Sequence, residues 1–483
     1  MKTALSDKFL LLVFGVCLFF FSFPTTFGHV ALFAWVALVP LLALNSRLPR
    51  LRACFFWNWI FFQISFFSLF YINLLQNPER LFSLGPIVGL LSFYLLFPLL
   101  YAGMFTFGVF FYRSFNSCIG LLGAAAAWVF FEYLLTCIPG LFPLSFAVSQ
   151  FSIPEFIQIA HFTGIFGLSF VLVMINYLFF QGLQNKYLLG VACLVVGLFW
   201  MFGSQRMMRD IPETAGPVFL LVQPNIVYRD AWLSQLGNVQ FSKILGRLTN
   251  TSIKAIANTK GNILVWPELS LTDFSLTDPV VVGKLKNILH DQAGIILGMP
   301  HQRQNAVFTF DEKLLQQSVY IKTLPVPGFE SYHRDNEPVL PVTVGGHKVG
   351  VSICYELLFG KVNAALVNNG AEVLGAISFN TWLGNTNWPN LHAAYLPFRA
   401  VENSRPAFYL NNNGPSMSVN SQGVIISVLT LGTRGYLRFS PEINTQTSFY
   451  CRYGDWFSFG CLFFVLSGVC FLLYKRRLLR RGS

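Results

Sequence analysis

Up to residue 205 the chain is built of long apolar runs separated by short polar joints; from residue 216 it changes to much shorter β-branched runs set in polar sequence. A helix needs roughly 20 apolar residues to cross a bilayer, and somewhat fewer where aromatic side chains sit at the interface. Runs at 9–21, 29–44, 53–75, 87–112, 118–135, 162–180 and 187–202 fit that description, and an eighth lies at 456–474. They predict a polytopic α-helical membrane domain of about eight transmembrane helices, with about seven of them in residues 1–210 and the last in 455–475. The first two runs are short. Lys2 and Lys8 ahead of the first also suit a cleaved signal peptide, but the many spans that follow favour a retained helix. Between 216 and 450 the runs 218–222, 262–266, 294–298, 349–353, 373–377 and 407–410 read as buried strands, and stretches such as 238–259 read as helices. That alternation predicts a layered α/β domain, with no internal repeat or low-complexity linker in the sequence.

Composition agrees with a chain largely in lipid, because 54% of the residues are hydrophobic and only 11% are charged, too few to solvate a soluble protein of 483 residues. The formal charge of +12 would suggest nucleic acid if it were concentrated in a groove. It is not: Lys and Arg outnumber Asp and Glu by 10 to 5 in residues 1–210, by 18 to 16 in 211–455 and by 5 to 0 afterwards. The excess flanks the apolar runs, which is the signature of membrane orientation and excludes a nucleic-acid partner. Cationic segments stay in the cytoplasm, so Lys475, Arg476, Arg477, Arg480 and Arg481 make 476–483 a basic cytoplasmic tail. Arg47, Arg50, Arg52, Arg113 and Lys186 mark further inside loops. Eight spans then put both termini in the cytoplasm and residues 216–450, with the loop 137–155, on the outer face, which is periplasmic if the membrane is a bacterial inner membrane. Of the nine cysteines, Cys17, Cys54, Cys118, Cys193, Cys461 and Cys470 lie in or beside apolar runs. Cys354 and Cys451 fall in the polar stretch and Cys137 at a membrane edge, which leaves a Cys137–Cys451 bridge open.

Three predicted strands end in residues that could carry chemistry. Cys354 follows the run 349–353, Glu268 follows 263–267, and Lys322 follows 318–321. A thiol at a strand end is presented on a rigid support, as a nucleophile must be. A carboxylate beside apolar Trp266 has a raised proton affinity and can take the thiol proton, while an ammonium can favour thiolate and then stabilise an oxyanion. Taken singly, these are a buried cysteine, a solvated glutamate and a surface lysine; three strand ends offering all three groups are harder to dismiss. His392, among helical residues, reads as a packing or hydrogen-bonding side chain rather than as a second activator of the thiol. The polar stretch holds no zinc-ligand cluster, phosphate-cradling glycine loop or Gly-x-Ser-x-Gly elbow, so neither metal nor cofactor is expected.

Ordered motifs tie the chain to a family. They are Gln223-Pro224-Asn225-Ile226 with Trp232; Trp266-Pro267-Glu268; Lys322 with Val326-Pro327 and Glu330; Ile353-Cys354-Tyr355-Glu356; Trp382 with Gly384 and His392; Glu402 with Arg405-Pro406; Asn412-Asn413-Gly414; and Gly454-Asp455-Trp456. In the membrane half Trp35 with Val39-Pro40-Leu41 and the segment from Trp128 to Glu132 belong to the same set. Residues 216–450 resemble the nitrilase superfamily, and nearly the whole chain is similar to the apolipoprotein N-acyltransferases. The resemblance implies an αββα sandwich in which Glu268 is the general base, Lys322 the oxyanion and charge partner, and Cys354 the nucleophile. It also implies that Glu330, Tyr355, Glu356, Trp232 and Trp382 shape the site. The family's Asn-Asp-x-Trp-Phe-Gly is here Phe379-Asn380-Thr381-Trp382-Leu383-Gly384, its Phe-Gly-Glu is Gly328-Phe329-Glu330, the polar residue two beyond the lysine is Leu324, and the stretch from Glu330 to Cys354 is short.

The activity so implied is N-acylation of the diacylglyceryl-cysteine terminus of a bacterial apolipoprotein. A phospholipid would be the acyl donor, a thioester on Cys354 the intermediate, and a monomer in the bilayer the working unit, without a cofactor. Two other readings stay open. A membrane-anchored amidase or nitrilase-type hydrolase of a small carbon-nitrogen substrate keeps the three residues but gives no reason for seven preceding spans. A transporter or receptor with an inactive domain would carry intramembrane charges, and Glu132 is the only acidic residue well inside a predicted span.

Overall fold

The computed structural model describes residues 5–71, 95–115, 118–138, 141–209, 214–226, 238–257, 259–272, 275–302, 304–326, 330, 338–383 and 386–481. The chain divides into two compact units, one of Met1–Met208, Asn385–Leu391 and Asp455–Ser483, the other of Arg209–Gly384 and His392–Gly454.

Among the described residues of the first unit six helices are long and apolar enough to cross a membrane: Leu5–Ser22, Leu51–Phe70, Cys118–Cys137, Ile165–Gly182, Lys186–Met207 and Trp456–Leu479. About eight spans are predicted, and the first of the two differences has a local cause. The run 29–44 is broken into a 3-10 turn, Ala31–Trp35, and a short helix, Val39–Ser46, that begins where Pro40 has no N–H to offer a preceding turn. Asn176 holds the break together: it accepts from the Leu38 N–H at 2.8 Å and donates to the Ala34 carbonyl at 2.8 Å. The run 87–112 gives the helix Phe97–Phe115, while 87–94 lies outside the described residues. The last helix runs from Trp456 to Arg481, through the basic segment expected as a separate tail, because Lys and Arg are good helix formers and favour the C-terminal end of the helix dipole. Leu194, Leu198 and Trp200 on one helix and Phe463, Leu466 and Phe471 on another are exposed, an apolar surface suited to lipid. Inside the unit residues 141–150 are buried without being a long helix, so their polar groups must be matched internally.

The second unit is an αββα sandwich. Its first sheet has the order β13 (Gly435–Phe439), β2 (Phe219–Gln223), β3 (Ile263–Val265), β4 (Gly294–His301), β5 (Gln304–Phe310), β6 (Gln316–Ile321). Its second has the order β12 (Ile425–Leu429), β11 (Ser416–Val419), β10 (Ala407–Asn411), β9 (Val373–Ser378), β8 (His347–Ile353), β7 (Val342–Val344). A short pair, β1 (Thr214–Ala215) with β14 (Glu442–Ile443), stands apart. The central strands β2, β3 and β4 are parallel, as are β8, β9 and β10, while the outer strands pair antiparallel. Parallel strands are covered on both faces, which is why β2, β3 and β9 are unbroken buried runs. The inner faces meet, with Phe219 and Phe408 at 5.3 Å between ring centroids and the Thr309 hydroxyl donating to the Thr343 carbonyl at 2.7 Å. Helices Asn238–Ile256 and Pro279–Leu289 seal the outside of the first sheet through Leu248, Leu285 and Trp266. Helices Gly360–Asn368 and Leu396–Asn403 cover the second. All the strands read from the sequence form; β1, β5, β7, β11, β12, β13 and β14 were not among them.

Candidate active site

Glu268 stands just past β3. The Trp266 N–H still pairs with Ile296 at 2.9 Å, Pro267 ends the ladder, and the chain turns through Leu269 at φ +55. The turn lies on Gly298 of β4, where a Cβ would come within 2.6 Å of the Glu268 Cα, so only glycine fits. The Trp266 indole donates to Ser252 at 2.9 Å and leaves the carboxylate free for other donors. Asn305 Nδ2 donates to Oε1 at 2.5 Å, the Phe379 N–H to Oε2 at 2.7 Å, and Lys322 Nζ lies 3.7 Å from Oε1. Lys322 directly follows β6, its N–H paired with the Asn305 carbonyl at 2.9 Å, and its ammonium is almost wholly buried with Glu330 Oε1 at 2.9 Å. Glu330 is fixed in turn by the Val326 N–H at 2.6 Å.

Cys354 begins the 3-10 turn that follows β8 and has φ +50, a left-handed conformation rare for a side chain with a Cβ. The turn is held by Glu356, which is fully buried. Its Oε2 accepts the Ile353 N–H at 2.8 Å; its Oε1 accepts the Thr323 N–H at 2.6 Å, the Thr323 hydroxyl at 2.7 Å, the Tyr320 hydroxyl at 2.9 Å and the Leu324 N–H at 3.1 Å. Glu356 thus fastens the chain after Lys322 to the strand before Cys354. Tyr355 is buried against Phe359, with ring centroids 4.8 Å apart.

Burial sets the electrostatics, because removing a group from water disfavours its charged form. It raises the Glu268 carboxyl above its ordinary value; Lys322 opposes that, Glu330 adds to it, and the donors Asn305 and Phe379 N–H offset part of it. For Lys322 burial works against the ammonium, but the charges of Glu268 and Glu330, and of Cys354 once it is ionised, outweigh it and hold the lysine well above its usual value. Burial, and then the charge of Glu268, push the Cys354 thiol up to about 12, against the pull of Lys322 and a contact with Ser378. The resting sulfur is therefore a thiol. The lysine does not make a standing thiolate, as its charge alone would suggest, because two buried carboxylates share its field.

The structure brings together Glu268, Lys322, Cys354 and Glu330, with Glu356 and Tyr355 in the turn beside them. Trp232 lies outside the described residues, as does the side chain of Trp382. Asn305 and Asn380, which sequence reading did not single out, also belong to the site. Asn305 donates to both Glu268 and Glu330, and Asn380 Oδ1 accepts from the Cys354 Sγ at 3.5 Å. The one signal for Asn380 was its place just past a strand, β9, like the other site residues. His392 bonds the Cys354 carbonyl through Nε2 at 2.9 Å. Cys137 and Cys451 are both free, Cys451 bonding Asn368 at 3.4 Å, so the open bridge is not made. No group of three or more potential metal-binding side chains occurs among the described residues.

Residues 221–440 match the carbon-nitrogen hydrolase family model, so the sandwich is a carbon-nitrogen hydrolase domain. Residues 15–178 match the apolipoprotein N-acyltransferase N-terminal domain, so the chain joins that domain to a carbon-nitrogen hydrolase domain, and the relatives it resembles over most of their length are apolipoprotein N-acyltransferases. It is 26% identical to the apolipoprotein N-acyltransferase of Thermotoga maritima over 88% of this chain and 86% of that one. The Geobacter metallireducens enzyme is 24% identical, with 94% and 93% covered, and apolipoprotein N-acyltransferase 1 of Treponema denticola 23%, with 97% and 96%. Among solved structures, a carbon-nitrogen hydrolase from Helicobacter pylori G27 aligns at 15% identity over 47% of this chain and 89% of its own, with a TM-score of 0.37.

Proposed function

We propose that this chain N-acylates lipoproteins by a ping-pong reaction in which Cys354 carries the acyl group. Glu268 takes the thiol proton as Sγ attacks an ester carbonyl of a membrane phospholipid, and the Lys322 ammonium stabilises the oxyanion. The tetrahedral adduct collapses, the C–O bond breaks, and the departing alkoxide recovers the proton from Glu268 as lysophospholipid leaves a thioester. The neutral α-amino group of a diacylglyceryl-cysteine then attacks the thioester and gives a proton to Glu268. The C–S bond breaks, the thiolate regains that proton, and an amide is released.

The observation that carries this reading is the burial together of one carboxylate, one ammonium and one sulfur at the ends of β3, β6 and β8. A base with raised proton affinity suits a thiol that ionises only during attack, and a dry site disfavours hydrolysis of the thioester. Glu330 and Asn305 hold the base and the ammonium in place, and Glu356 holds the nucleophile's turn. The membrane arrangement in the same reading is eight spans, counting Ala31–Ser46 and Phe97–Phe115, in a bacterial inner membrane. Both termini are cytoplasmic and residues 216–450 periplasmic, as the cationic segment ending at Arg481 supports. Incubation with acyl-labelled phospholipid followed by mass spectrometry tests it: a hydroxylamine-sensitive acyl adduct on Cys354 is expected. Labelling equal after Cys354→Ala would sink the proposal.

A further inference from the structure

Behind the sulfur lies a set of buried polar side chains that the reaction above does not use. The Cys354 carbonyl can only accept a hydrogen bond, so His392 Nε2, 2.9 Å away, carries the ring hydrogen. His392 Nδ1 is then an acceptor. Asn380 Nδ2 and the Tyr409 hydroxyl both reach it at 3.0 Å, and Asn380 Nδ2 also donates to the Tyr409 oxygen at 2.9 Å. The three atoms form a triangle, so the amide N–H side of Asn380 faces His392 Nδ1 and the Tyr409 oxygen together, and its Oδ1 faces the other way, accepting from Ser378 Oγ at 2.8 Å and from Cys354 Sγ at 3.5 Å. Asn380, His392, Tyr409 and Ser378 are all buried, and the Asn380 N–H is pinned to Asn411 Oδ1 at 3.2 Å.

We propose that Asn380 is a positioning residue for acyl transfer: His392 fixes the sense of its amide, so that the sulfur of Cys354 meets an acceptor and rests as a thiol aimed at Asn380 Oδ1. The chain of polarity starts at the nucleophile's own carbonyl and returns to its sulfur. Reversing the amide would set Nδ2 beside Sγ, a donor that favours thiolate, and would set the acceptor Oδ1 against the acceptor Nδ1 of His392. Burial first, and then the charge of Lys322, keep the imidazole neutral down to about 3, so this polarity holds throughout the working range. The family pattern has an acid where Asn380 stands, and an ionised carboxylate could not donate to a neutral His392. An amide supplies the acceptor for sulfur and the donor for histidine in one group.

The inference rests on Cys354 being the nucleophile, and its test separates the two claims. The pH profile of iodoacetamide alkylation at Cys354, read as a site-specific adduct by mass spectrometry on the full-length protein in detergent, is compared with acyl transfer. Glu268, Lys322, Glu330 and Glu356, the other charged groups around the turn, are unchanged in every variant. Asn380→Ala and His392→Leu are expected to shift the alkylation profile to lower pH by about one unit, roughly tenfold faster on the rising limb, while acyl transfer falls. His392→Gln, which can donate to the carbonyl and accept from the amide, should restore the wild-type profile. If the larger changes prevent folding, Tyr409→Phe removes one hydroxyl only and should move the profile in the same direction by less. Profiles that coincide with wild type in the folded variants, or alkylation and transfer falling together, would overturn the role of Asn380. Acyl transfer surviving in Cys354→Ala would instead overturn the nucleophile itself.

Discussion

Each half of the chain buries a glutamate close in sequence to a tryptophan, and the two are used differently. In the membrane unit the Trp128 indole donates to Glu132 at 2.7 Å, as do the Phe146 N–H at 2.7 Å and the Ser145 hydroxyl at 3.0 Å. These donors are neutral, and two of them lie in the buried segment 141–150, so Glu132 matches backbone and side-chain groups that lipid could not satisfy. In the sandwich the Trp266 indole turns to Ser252, and Glu268 is left facing an amide, a backbone N–H and an ammonium, with the sulfur nearby. Burial alone therefore does not mark a catalytic carboxylate. In the reaction proposed above, the cation and the sulfur around Glu268 set it apart.

That contrast can be broken at several points. Cys354→Ala should lower acyl transfer by about 10⁴-fold or more in a turnover assay, since the covalent route is lost. Glu268→Gln keeps the shape and removes the base, and should cost about 10²- to 10⁴-fold in the rate of acyl-enzyme formation. Glu356→Ala strips the acceptor from Ile353, Thr323, Leu324 and Tyr320, and should destabilise the protein by about 3 kcal/mol in denaturant unfolding, with activity falling alongside. Protonated Glu268 cannot accept the thiol proton, so activity should fall about tenfold per pH unit on the acid side. Because the folded carboxyl is raised, that limb should lie above the ordinary carboxylate range. Glu132→Gln offers an NH₂ where an acceptor is needed; it should cost about 1–2 kcal/mol in stability yet leave acyl-adduct formation on Cys354 within about threefold. A loss at Glu132 as large as that at Glu268 would erase the distinction.

Much of this was legible before any coordinates, for identifiable reasons. Glu268, Lys322 and Cys354 each follow an apolar run, and strands covered on both faces write such runs plainly. Lys322 ends an edge strand, β6, whose half-exposed pattern is weaker; the run Val319-Tyr320-Ile321 still showed it. Asn305 was hidden because β5 is an antiparallel strand with a polar start, and nothing local says that its amide joins two carboxylates from distant segments. Asn380, just past β9, showed nothing of its role, which depends on His392 and Tyr409, brought to it by the fold. The second apolar run reads as one continuous helix, but Pro40 starts a new short helix there and Asn176, far along the chain, joins the two pieces. Local pattern located what strands deliver; it could not locate what is assembled across the sheets.

Single-turnover chemistry gives the most direct test of the buried Glu268, Lys322 and Cys354 group as the acyl-transfer centre. Enzyme pre-loaded with labelled acyl group, freed of donor lipid and mixed with a diacylglyceryl-cysteine peptide should lose label from Cys354 at the rate, and in the amount, that N-acyl peptide appears. Labelled peptide forming while the Cys354 adduct persists, or forming without one, would contradict it.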